Sequence, residues 1–186
     1  MIRIAIIIAS TRPGRVGEQV GQWVHQLASK RGDAAYELID LREQALPQLD
    51  EPLPAASGQY TRPHTRAWAE LIAGYDGFVI VTPEYNHSLP ASLKNALDFL
   101  YAEWHNKALG IVSYGLDGGT RAAETLRLVA GALKLADVRN HLALSTLTDF
   151  QDYADFQPAE HRADQLTGVL DEVAEWSRAL AVLRSA

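Results

Sequence analysis

A chain of 186 residues, 47% apolar and 22% charged, has the length and composition of one globular domain with a sizeable core. Its formal net charge of -6 gathers toward the end, with 8 acidic and 3 basic residues in 149–186, and this argues against nucleic acid and anionic membrane surfaces as partners. With no cysteine, disulfides, thiolate catalysis and cysteine-ligated metals are excluded, which fits a cytoplasmic address.

Residues 2–8 are almost all apolar, too few for a transmembrane span and without a basic leader, and read as a central first strand. The loop STRPGRVG (10–17) precedes a helix to about Lys30, whose buried stripe is Val20, Trp23, Val24 and Leu27. Residues 36–41 read as a second strand. The stretch 42–63, with Pro47, Pro52, Pro54, Gly58 and Pro63, reads as a long surface loop of the functional or mobile kind. A helix over 65–75 follows, and Gly74 fits its end.

The chain is organised around DGFVIVTPEYNHSLPASLKNALDFL (76–100). Residues 78–82 form a strand buried on both faces, stopped by Pro83, which has no amide hydrogen for a ladder. Six mostly polar residues, 84–89, lead into a helix opened by Pro90 and Ser92, with Leu93, Ala96, Leu97 and Leu100 facing the sheet. A fourth strand, 108–113, runs into the glycine-rich turn YGLDGG (114–119) and a helix through Leu126, Val129, Leu133 and Leu135. Residues 141–144 form strand five, 146–157 are irregular, and a last helix spans roughly 160–183 on a stripe of Leu166, Val169, Leu170, Val173, Trp176, Leu180 and Leu183. Strands alternating with helices predict an α/β domain over 1–186, a doubly wound three-layer sandwich with a five-stranded parallel sheet.

Loops after strands one, three and four share the carboxyl edge of such a sheet, where open α/β folds bind ligands. In the first, Ser10 and Thr11 offer hydroxyls, Arg12 and Arg15 bidentate guanidiniums, and the following helix its unpaired amides, so phosphate binding stands beside the plainer reading of a solvated turn. Neither GxGxxG nor the P-loop pattern is present. In the second, Tyr85 could cover a flat aromatic ligand and Asn86 give an amide, or Asn86 could simply hold an unusual turn. His87 has no Cys, Asp or Ser partner placed by spacing, which favours a loop histidine over an acid–base group, and no histidine spacing predicts a metal. In the third loop, glycines permit close backbone approach to a ligand or form a flexible turn. Trp23 and Trp176 sit on helix stripes; Trp68 and Trp104 have no such placement, and an oligomer contact is one place for Trp104.

These residues resemble the NAD(P)H-dependent FMN reductases, the flavodoxin-like group that includes bacterial quinone, azo-dye and chromate reductases. The likeness rests on STRPGRVG, on PEYN-x-S-x-P-x-x-LKN-A-x-D and on YGLDGG, and covers residues 1 to 145. It implies the strand order 2-1-3-4-5 and FMN as cofactor, with NADPH or NADH as co-substrate and a small electron acceptor such as a quinone. It implies phosphate contacts from Ser10, Arg12, Val16 and Gly17 with Arg15 helping. Pro83, Glu84, Tyr85 and Asn86 would border the ring and ribityl chain, and Ser113, Gly115 and Gly118 the third side. It further implies a homodimer or homotetramer with the flavin near a subunit interface, and the segment 101–107, between helix and strand four, is one candidate to cover the neighbouring flavin. Many members have glycine where this chain has Ala9, which slightly constrains the backbone. The rivals are a flavodoxin-type electron carrier, expected to be more acidic around the flavin, and a receiver domain, excluded because Ala9-Ser10 and Thr82-Pro83 stand where its acids belong.

Overall fold

In the computed structural model, which describes residues 1–184, five parallel strands form one sheet: β1 (Arg3–Ile8), β2 (Ala35–Asp40), β3 (Gly77–Pro83), β4 (Lys107–Gly115) and β5 (Leu135–Ser145). Their spatial order is β2-β1-β3-β4-β5, as expected. Side chains of successive strand residues point to opposite faces, and the central strands are apolar at both, so each strand feeds two cores. Ile4 and Ile6 of β1 and Val79 and Val81 of β3 pack under α1 (Gly17–Ala28) and α6 (His161–Ala179). Ala5, Ile7, Phe78 and Ile80 pack on the other side under α3 (Pro63–Ala73), α4 (Ala91–Asp98) and α5 (Thr120–Ala132). Burying each large apolar side chain is worth about 1.5–3 kcal/mol, and all seven residues of β3 are buried.

Several boundaries differ from the sequence reading, each for a local reason. Pro83 does not stop β3 but is its last residue, paired with Tyr114; the ladder resumes with Glu84 N donating to Tyr114 O at 3.0 Å, so the missing proline amide interrupts little. Strand β2 ends at Asp40, whose carboxylate accepts from Arg42 N at 2.9 Å and caps the short helix α2 (Leu41–Gln44). The proline-rich stretch after it also holds one 3₁₀ turn, Ala55–Ser57. It is fastened down: the Glu51 carboxylate receives the Thr61 and Arg62 amides, and Asn95 of α4 receives Leu49 N and donates to Pro47 O.

Helix α5 ends at Ala132, Lys134 turns into the left-handed region, and Leu135 starts β5 rather than continuing the helical stripe. β5 is longer than 141–144 because its polar middle is held by a helix side chain: Arg127 pairs with Asp137 and donates to Val138 O at 2.9 Å, next to a break in the β4–β5 register. The expected irregular segment contains a hairpin, β6 (Phe150–Gln151) with β7 (Asp155–Phe156), set against Trp23. The last helix stops at Ala179 and a further turn, α7 (Ala181–Arg184), follows. Leu166, Val169, Leu170 and Val173 are buried as expected, whereas Trp176 is 44% exposed and Leu183 is exposed. Trp104, unplaced by pattern, is fully buried between Trp68 and Phe78 and donates its indole N–H to Leu97 O at 3.1 Å; it belongs to the core.

Candidate functional site at the carboxyl edge of the sheet

The loop after β1 has the free donors that could seat an anion. Helix α1 begins at Gly17 with no side-chain cap, and its first amide to find a backbone acceptor among the described residues is that of Gln19, bonded to Val16 O at 3.1 Å. The amides of Val16, Gly17 and Glu18 therefore stand at the positive end of the helix dipole with no such acceptor. Ser10 is 1% exposed at the floor of the seat, and Arg12 is exposed at its mouth.

Arg15 does something the local sequence could not show. Its side chain is only 4% exposed, and its two terminal nitrogens are held by Asp40 at the end of β2, with Nη1 also donating to Ser10 O at 2.6 Å. The guanidinium fork is thus committed to the protein rather than offered to a ligand. What it leaves over is Nε, which is buried without a hydrogen-bond partner. A buried N–H with no acceptor costs about 1–3 kcal/mol, so this donor, with the amides of the helix start, suits a phosphate ester.

The loop after β3 folds back on itself. Tyr85 and Ser88 exchange both backbone bonds, at 2.9 and 3.1 Å, around Asn86 and His87, whose φ angles of 50° and 66° are left-handed. Asn86 therefore does hold an unusual turn, and His87 is exposed beside it. The turn aims Tyr85 back toward the first loop, where its hydroxyl lies 2.9 Å from Ser10 Oγ. Glu84 turns away: its carboxylate receives Arg121 N and Nη1, both at 3.0 Å, and so caps α5, which has no cap of its own.

The third loop is closed tightly. Ser113 Oγ donates to Gly118 O at 2.5 Å and lies 2.7 Å from His141 Nε2. A serine hydroxyl has one proton, so with that proton on Gly118 O the His141 ring donates, as the Nε2–H form. Burial, and then the nearby Arg127, push the His141 pKa down. At Gly119 the φ angle is 70°, and a side chain there would meet the Tyr114 backbone N and O at 2.8 Å. Pro83 is buried and Gly115 half-buried on the inner side of this wall.

The expected residues thus lie on three neighbouring loops, joined directly by the Ser10–Tyr85 and Glu84–Arg121 contacts. A concavity of about 190 Å³ opens beside the anion seat, lined by Thr11, Leu41, Arg42, Ser92 and Asn95 among others. Among the described residues, no group of three or more His, Asp or Glu is placed to hold a metal, and no helix is long and apolar enough to cross a membrane. Sequence reasoning missed Asp40, the partner of Arg15, because the pair joins residues 25 apart in the chain.

Comparison with known proteins identifies the family. Residues 2–149 match the model of the NADPH-dependent FMN reductase family. An NAD(P)H-dependent FMN reductase of Schizosaccharomyces pombe is 39% identical over 186 residues, covering 99% of this chain and 86% of that one. A quinone reductase of Escherichia coli K12 is 34% identical over 138 residues, 69% of each. Among solved structures, the flavoenzyme NAD(P)H:(acceptor) oxidoreductase FerB of Paracoccus denitrificans superposes with a TM-score of 0.66 at 20% identity, over 96% of this chain and 98% of that one, a likeness of fold. The family match over residues 2–149 and the 39% identical relative covering 99% of the chain show that this chain belongs to the NADPH-dependent FMN reductases.

Proposed function

We propose that the protein is an FMN-dependent NAD(P)H oxidoreductase that passes reducing equivalents from NADPH or NADH to a quinone, free flavin, an azo or nitro aromatic, or an oxidised metal ion. FMN, when bound, would supply the hydride-transfer chemistry between nicotinamide and acceptor, in a ping-pong cycle. The chain's own residues bind and orient. The Val16 and Gly17 amides, Ser10, Arg12 and the spare Nε of Arg15 would hold the phosphate. Pro83, Glu84, Tyr85 and Asn86 would border the ring and ribityl chain, and Ser113, Gly115 and Gly118 the third side. Glu84 does this through its backbone, since its carboxylate is engaged with Arg121.

The observation that carries the reading is the orphaned Arg15 Nε beside the uncapped start of α1. The relatives named as NAD(P)H-dependent FMN reductase and quinone reductase support the same chemistry. Cytoplasmic residence as one FMN-binding domain and assembly as a homodimer or homotetramer belong to the same proposal, by family resemblance, with residues 101–107 set over the neighbouring site. Light scattering on the eluting protein checks the assembly.

The activity is tested by the visible spectrum of the purified protein with FMN, followed anaerobically on adding NADPH and then NADH. Bleaching that reverses with a quinone is the expected result and ranks the two donors. A yellow protein that neither nucleotide bleaches is an electron carrier instead. A protein that takes up no FMN overturns the reading.

A further inference from the structure

One group at the anion seat has no role so far. Tyr114, the penultimate residue of β4, is 5% exposed, and its ring packs against Phe150 with centroids 6.2 Å apart. Its hydroxyl does not end in the core. It reaches under the first turn of α1, so that a Cβ on Gly17 would fall on that hydroxyl, with the ring carbon Cζ at 3.1 Å. Gly17 is therefore glycine because Tyr114 occupies the place of its side chain, and the phenol comes as near the helix start as backbone allows. Ser10, Arg12 and Arg15 all favour its ionised form. Ser10 Oγ meets Tyr85 Oη at 2.9 Å, and Tyr85 acts on the Tyr114 phenol as well, so these hydroxyl-bearing residues are neighbours at the edge of the sheet.

A buried phenol gives up solvation unless an acceptor answers it, and the neighbouring Ser10 Oγ is already bonded to Tyr85. An oxyanion on the free amides of α1 would be an acceptor for it. We propose that Tyr114 is a phosphate-binding residue, its hydroxyl donating from beneath to the phosphate on the α1 amides and making the site select a phosphorylated flavin over the unphosphorylated one. Burial, and then Tyr85, raise its pKa, so it meets the anion as a neutral O–H donor. This rests on the FMN reading above.

The test is fluorescence titration of the flavin-free protein and its Tyr114→Phe variant with FMN and with riboflavin. The variant keeps the ring on Phe150 and removes the oxygen. A hydrogen bond to a charged group is worth about 1.5–3 kcal/mol, so FMN is expected to bind roughly ten- to a hundredfold more weakly while riboflavin binds within about twofold as before. Equal weakening of both would make Tyr114 a packing residue, and no weakening of FMN would exclude contact; either overturns the proposal. Gly17→Ala, which pushes the hydroxyl aside, is expected to collapse the same ratio and serves if the first variant does not fold. If the unmodified protein binds no FMN, the functional reading fails, and protection of its thermal midpoint by inorganic phosphate, lost in Tyr114→Phe, judges the phosphate site on its own. No difference between the two proteins in that assay rejects it.

Discussion

Arg15 Nη1 lies 2.8 Å from Asp40 Oδ1, joining the anion loop to the end of the neighbouring strand through an ion pair whose side chains are 4% and 13% exposed. Removing one partner of a buried pair strands the other charge, which costs about 3–5 kcal/mol. Asp40→Ala also deletes the cap of α2. It is expected to lower stability by about 3 kcal/mol or more in urea unfolding and to weaken FMN binding, because the loop loses its brace. A loss below about 1 kcal/mol would show the pair to be slack.

Glu84 and Arg121 contrast with it. Their contact is partly exposed, and the carboxylate matters more than the guanidinium because it also receives the Arg121 amide at the start of α5. Glu84→Ala is therefore expected to cost about 1–2 kcal/mol, as loss of a helix cap does. Arg121→Ala should cost under about 1 kcal/mol. Thermal unfolding of the two variants side by side checks the order.

Acid sensitivity follows from Glu51. Desolvation favours its protonated form, but hydrogen bonds from the Thr61 and Arg62 amides outweigh this and hold its pKa down to about 2. The unfolded value is about 4.3, so the folded state binds this proton less readily. The stability it confers is complete above pH ~4.3 and is lost as pH falls through ~2. The urea midpoint should drop across that window in the unmodified protein and less steeply in Glu51→Gln.

Gly17 and Tyr114 predict a coupling within the flavin-free protein. Gly17→Ala overpacks against the phenol and is expected to cost about 1–3 kcal/mol. In a Tyr114→Phe background the worst contact is gone and the cost should shrink by at least about 0.5 kcal/mol, a non-additivity that urea unfolding of the four proteins resolves. Strict additivity would mean that the two residues do not touch.

The parallel sheet and its loops were legible because runs such as Phe78 to Thr82 are apolar on both faces and end in composition that no core accepts, whereas the strand order came with the family resemblance. The rest was hidden where the deciding partner is remote or the usual marker is missing. Arg15 reads as a free cation until Asp40, 25 residues away, is seen beside it. The β6–β7 hairpin turns on Asp152 and Tyr153, both left-handed without being glycine, so no glycine announced it. In β5, Asp137, Arg139 and Asn140 break the apolar run, and only the reach of Arg127 from α5 shows why they are tolerated.

Asp149 is the last residue shared with the family model, and it is 1% exposed, gripped at both oxygens by Arg162 of α6 and bonded to the amide of Ser145. Ser145 in turn donates to Leu116 O, and Thr146 N to Gly115 O, in the glycine-rich loop. The tail thus reaches the glycine-rich loop through Asp149 as a guy-rope reaches a mast, while the apolar stripe of α6 is bedded in the core. A change at Arg162 would therefore be felt at a loop it never touches.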